Sequence, residues 1–95
     1  MFGSKVVAMT DKQDEIVEAL KDRSKKIYAW FSLCHNRING SVRVDLNKGD
    51  RWIMISVSES GNIIMAVSPD SCSGPKQAAL DVNLWFKQHE DKVSH

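Results

Sequence analysis

Apolar spacing divides the chain into a long periodic stretch, a block of alternating stretches and a second periodic stretch. From Asp11 onward, Ile16, Leu20, Ile27, Phe31 and Cys34 fall within one stripe at about 100° per residue, with Val17, Ser24, Tyr28 and Trp30 on its edges. That spacing predicts a helix from about Asp11 to Cys34 or slightly beyond. Thr10-Asp11-Lys12-Gln13 has capping-box spacing, in which the Thr10 hydroxyl accepts the N–H three residues on and Gln13 reaches back. Asp11, Asp14 and Glu15 follow in the first turn, where the positive end of the helix dipole favours them. Asn39-Gly40 closes the helix, since both residues tolerate a left-handed cap.

Alternation then replaces the helical period. Val42, Val44 and Leu46 share one side of a first strand, and Asn47 to Asp50 forms a turn. In the second strand, Arg51 to Ser58, Ile53, Ile55 and Val57 share one side, while Trp52, Met54, Ser56 and Ser58 share the other. A turn at Glu59-Ser60-Gly61-Asn62 leads to a third strand, Ile63 to Val67, which Pro69 ends. A three-residue loop, Ser60 to Asn62, sets Val57 against Ile63 or diagonal to Met65, and turns Ile63, Met65 and Val67 inward. A two-residue loop would turn Ile64 and Ala66 inward instead. The first register gathers the larger side chains and is the one expected. It leaves Trp52, Met54, Ile64 and Ala66 together on the outer face, flanked by Arg43 and Asp45.

Ser73 or Gly74 caps the last helix, and Pro75 occupies its first turn, where a missing N–H costs nothing. Ala78, Ala79, Val82, Trp85, Phe86 and His89 form its apolar stripe, with Leu80 and Leu84 roughly opposite. The expected fold is α+β in the order α-β-β-β-α: a three-stranded antiparallel meander with two helices packed on one face.

Composition narrows the function classes. Ninety-five residues suit one domain, with residues 1–9 as an N-terminal arm and 91–95 as a frayed tail. Thirteen basic residues face 12 acidic ones, for a net charge of +1. An acidic DNA mimic is excluded, and any nucleic-acid binding must rest on local clustering. Met1 to Met9 carries too short an apolar run for a signal peptide, and no run suggests a membrane span. Cys34 and Cys72 are too few for a disulfide scaffold. The expectation is a cytoplasmic protein with reduced thiols.

No constellation for catalysis stands out, so an enzyme is not expected. Cys34, His35, Cys72 and His89 lack the close pairing of zinc ligands, so no metal or other cofactor is expected. Ser73 and Lys76 have the spacing of certain acyl-transfer enzymes but no companion motif. The basic residues Lys21, Arg23, Lys25 and Lys26 spread around their helix and read as a solvated surface. What remains is surplus apolar surface. Trp52, Met54 and Ile64 on the sheet, and Leu80 and Leu84 on the last helix, are the candidate protein-binding residues. Ala29 and Leu33, off the main stripe of the first helix, add to that surplus. The first reading is a small non-catalytic interaction module, a regulator or inhibitor, with a protein partner or a second copy of itself.

Gly74, Lys76, Ala78 and Ala79, opening a helix that follows a helix and three strands, give the second reading. Over roughly Asp11 to Gln88 this order resembles the double-stranded-RNA-binding domain, whose last helix opens on small residues and lysines. The resemblance implies phosphate contacts from Lys76, helped by Lys48, Arg43 and Arg51. Lys76 stands alone there, and Asn47 to Asp50 contains neither the proline nor the histidine usual in the family's first strand loop.

Overall fold

The capping box forms as its spacing implies. In the computed structural model, which describes residues 9–90, Gln13 N–H donates to Thr10 Oγ1 at 3.1 Å and Gln13 Oε1 accepts from Thr10 N–H at 3.0 Å. Helix α1 (Asp11–Lys26) starts there. It stops well before the expected end. Tyr28 takes a left-handed φ of 58°, Tyr28 N–H donates to Lys25 O at 3.2 Å, and Ala29 N–H donates to Ser24 O at 2.9 Å. This pair of bonds is the Schellman closure, with tyrosine where glycine is usual. Beyond it the chain is extended, and Trp30 to His35 alternates between the two faces of a sheet. The apolar positions Ile27, Phe31 and Cys34 fit a helical period, but Phe31 and Leu33 fit a strand equally well.

Five strands therefore replace the expected three. They are β1 (Trp30–His35), β2 (Val42–Lys48), β3 (Arg51–Val57), β4 (Ile63–Ser68) and β5 (Ser71–Ser73), and α2 (Ala78–Glu90) follows. All pairings are antiparallel, and the strand order β1-β2-β3-β4-β5 is the chain order. The α+β class holds. The expected meander forms its centre, and β1 and β5 add a strand at each edge. The arm expected over residues 1–9 and the tail over 91–95 lie, Met9 apart, outside the described residues.

Hairpin chemistry fixes the register. Gly49, with φ 64°, takes the first of two turn positions between Lys48 and Arg51, where a left-handed residue matches strand twist. Between β3 and β4, Ser58 N–H donates to Asn62 O at 2.9 Å and Gly61 N–H to Ser58 O at 2.9 Å, leaving a loop of Glu59 to Gly61. Val57 does face Ile63, but the register then shifts, so that Ser56 faces Met65 and Ile64 is the extra residue of a bulge. The bulge reverses the parity expected for the rest of β4. Ala66 turns inward and is 2% exposed, whereas Met65 and Val67 turn outward.

Both helices cover the same face. Val17 and Leu20 of α1, Ile27 at its C-cap, and Ala78, Val82, Trp85 and Phe86 of α2 are buried with the inward residues of β2, β3 and β4. Ala29, Phe31 and Leu33 pack on that core from β1 and the turn before it. Ala79 of the expected α2 stripe is exposed, and Leu80 and Leu84 face away from the core.

The N-terminus of α1 gathers two distant loops. Thr10 Oγ1 donates to Glu59 O at 2.7 Å, and Gln13 Nε2 donates to Gly40 O at 2.8 Å. Gly61, with φ 81°, passes so close that an added Cβ would lie 2.6 Å from Lys12 Cβ and 3.0 Å from its carbonyl carbon. Gly61→Ala combines a left-handed backbone with this close approach, and is expected to cost about 2 kcal/mol. A lower midpoint in chemical denaturation with an unchanged slope is the measurement.

Candidate functional site

A strand offers alternate side chains to each side of a sheet. With the inward set buried, the outward set follows from the register. One row across the sheet runs Ser32, Asp45, Met54, Val67 and Cys72. On one side of it lie Trp30, Asn47 and Trp52, and on the other Cys34, Arg43, Ser56 and Met65. Trp30 is 68% exposed and Met65 is 42% exposed, with Trp52, Met54 and Val67 half-buried. Among the described residues no helix packs on this face. Residues 6–8 lie outside the described residues, and Met9 packs on the core.

Polar groups share this face with the apolar ones, and one of them, Asp45, is partly buried. Asp45 Oδ1 lies 3.2 Å from Arg43 Nε, yet it accepts no hydrogen bond among the described residues and is closed off from solvent. The contact is an ion pair by distance without the alignment of a hydrogen bond. A buried acceptor left in this state is costly until a donor reaches it.

Of the residues expected to bind protein, Trp52 and Met54 sit side by side on this face. Ile64, half-buried, is the extra residue of the bulge between Ile63 and Met65. Leu80 and Leu84, 61% and 55% exposed, belong to the solvent side of α2, in the helical layer behind the sheet. Trp30, Met65 and Val67 join this face, and Ala66 leaves it for the core. For Trp30 the signal was the alternation Trp30, Ser32, Cys34; for Met65 and Val67, a bulge left none.

No family model, curated protein or solved structure matches this chain. Function rests on its own geometry.

The basic residues of the nucleic-acid reading are differently employed. Lys48 Nζ donates to Ile27 O at 2.5 Å, at the C-terminal end of α1, where the dipole favours a cation. Arg51 faces Lys48 across the hairpin and reaches Gln88 Oε1 at 3.5 Å. Arg43 pairs with Asp45 on the outer face, and Lys76 stands exposed in the turn before α2. The four form no single cluster.

Cys34, His35, Cys72 and His89 are likewise dispersed. Cys34 and His35 are neighbours in a strand and point to opposite faces. Cys72 lies on the far edge strand, four strand spacings or roughly 19 Å from Cys34, beyond disulfide reach. His89 is buried against the Trp85 ring at 4.2 Å, with Nδ1 2.7 Å from Trp85 O. Among the described residues no group of three or more metal-ligating side chains gathers, and no helix is long and apolar enough to cross a membrane.

A cleft of about 380 Å³ opens between α2 and the ends of β3 and β4. Asp50, Arg51, Asp70, Asp81 and Gln88 line it beside Leu84 and Trp85. Asp81 is already engaged: it accepts from Ser73 Oγ and, at 3.1 Å, from Gln77 Nε2. These two bonds hold its carboxyl below the usual carboxylate range. An ionised Asp81 thus ties β5 to the first turn of α2.

Proposed function

We propose that this domain is a non-catalytic protein-interaction module that engages its partner through the outer face of the sheet. The observation that carries the reading is a five-stranded sheet whose helices both pack on one side, leaving Trp52, Met54, Met65 and Val67 without a covering element among the described residues. A contiguous apolar patch that includes an aromatic and methionines is the usual make-up of an interface core. An apolar partner surface would cover the tryptophan and the methionines together.

The test is site-specific photocrosslinking in cells. A crosslinker at Ser56, on the outer face, should yield a defined adduct that one at Lys87, on the exposed side of α2, does not. Trp52→Ala with Met54→Ala should abolish that adduct by at least about tenfold, because truncating a buried interface aromatic costs roughly 2 kcal/mol or more. Unchanged circular dichroism would show the fold intact. An adduct indifferent to the double substitution, or identical from both positions, would remove the outer face as the binding surface.

A further inference from the structure

The two edges of the sheet are unlike. Strand β5 has three residues and lies between Pro69 and Pro75, so it offers little to an incoming strand. Strand β1 has six, Trp-Phe-Ser-Leu-Cys-His, with no proline, lysine, carboxylate or bulge. Nothing along it acts against strand addition. Asn36 N–H donates to Ser41 O at 2.9 Å, continuing the β1–β2 register. In an antiparallel ladder such bonded pairs alternate. Trp30, Ser32 and Cys34 therefore turn their main-chain groups toward β2, and Phe31, Leu33 and His35 turn theirs to the edge, which no strand among the described residues pairs with.

Among the described residues, the most exposed large apolar side chains lie in this strand or beside it. Tyr28 is 83% exposed, Trp30 68% and Ile38 96%. Tyr28 also holds a left-handed backbone, φ 58°, that glycine would occupy without strain. An aromatic kept there, out in solvent, contributes no packing to its own chain.

We propose that β1 pairs antiparallel with β1 of a second copy, about a two-fold axis through Leu33. With Leu33 facing Leu33, Phe31 faces the second copy's His35 and every free group of the edge finds a partner, about six main-chain hydrogen bonds in all. The same axis sets the Tyr28–Trp30 end of one copy beside the Asn36–Ile38 end of the other, so the three exposed apolar residues cover one another. No charge on β1 opposes its like. This pairing is independent of the outer-face reading, although it would join the two outer faces into one sheet with both Trp30 rings near the seam.

Light scattering on the full chain over a dilution series should give a mass rising to about 21 kDa, twice the 10.7 kDa of one chain. His35→Pro removes an open-edge N–H and no β1–β2 bond, so it should keep the circular dichroism and hold the mass at one chain. Register is tested by disulfide trapping in a Cys72→Ser background. Ser32 would face the second copy's Cys34 as a non-bonded pair, with Cα atoms about 4.5 Å apart, within disulfide reach. Ser32→Cys should then oxidise to a covalent dimer that Cys34→Ser abolishes. A single-chain mass at every concentration overturns the proposal. So does a dimer that Ser32→Cys fails to trap, or one that a folded His35→Pro leaves intact.

Discussion

Phe86→Ala is expected to lower the stability of this domain by about 3–5 kcal/mol, the range for removing a fully buried aromatic ring. Phe86 is wholly buried in α2, where the two helices and the sheet meet. Its ring stands edge-on to Trp85 at 5.5 Å between centroids, and the Arg23 guanidinium lies 4.2 Å from its centroid. Arg23 Nη1 in turn donates to Asn83 Oδ1 at 2.7 Å, so α1 and α2 are joined over this ring. Truncation would open a cavity and remove the surface on which Arg23 stacks. A domain of this size has only about 5–14 kcal/mol in total, so much of the population could unfold. Urea denaturation followed by circular dichroism gives the loss directly. Phe86→Leu should cost less than half as much, because most of the volume stays filled. Equal losses in the two variants would mean that packing at this site is not what holds the helices together.

Gln13→Ala is expected to cost about 2–4 kcal/mol, from lost hydrogen bonds and unsatisfied buried carbonyls. Gln13 is 2% exposed, unusual for a side chain that also completes a capping box. Its Nε2 donates to Gly40 O at 2.8 Å and approaches Val57 O at 3.5 Å. One amide therefore caps α1 and fastens the loop before β2 and the end of β3 beneath it. Gln13→Glu separates these roles. A carboxylate could still accept from Thr10 N–H, but it would set negative charge against two carbonyl oxygens. The folded state should favour the protonated acid, raising the group above its unfolded value of about 4.3. Stability of that variant would be greatest below this value and fall as pH rises through the raised one. Midpoints measured at pH 4 and pH 7 should differ in that direction, while the parent protein lacks this component of the change.

These two residues mark the part of the fold most legible in the chain. Phe86 stood on a helical stripe, and Gln13 stood three residues from a capping threonine. The alternation of β2 and β3 was equally plain, since Val42, Val44 and Leu46 face Val57, Ile55 and Ile53 across the ladder. The outer-face positions Trp52 and Met54 followed from the same parity. The losses have local causes. Tyr28 adopts a left-handed turn that tyrosine does not signal, so Phe31 and Cys34 continued the helical period by coincidence of spacing. Ile64 is an inserted residue, and one insertion exchanges inside for outside in everything after it. Ser71 to Ser73 has no apolar pattern and becomes a strand only because β4 offers an edge to pair with.

A sheet whose spatial order repeats its chain order can zip from any hairpin outward, closing only short loops at each step. The cap of α1 is different, because Gln13 reaches 44 residues along the chain to Val57 and Thr10 reaches 49 to Glu59. Those bonds can close only after the β3–β4 hairpin has formed. They act as a latch fastened late, so a chain without Gln13 should fold at nearly its normal rate and come open faster.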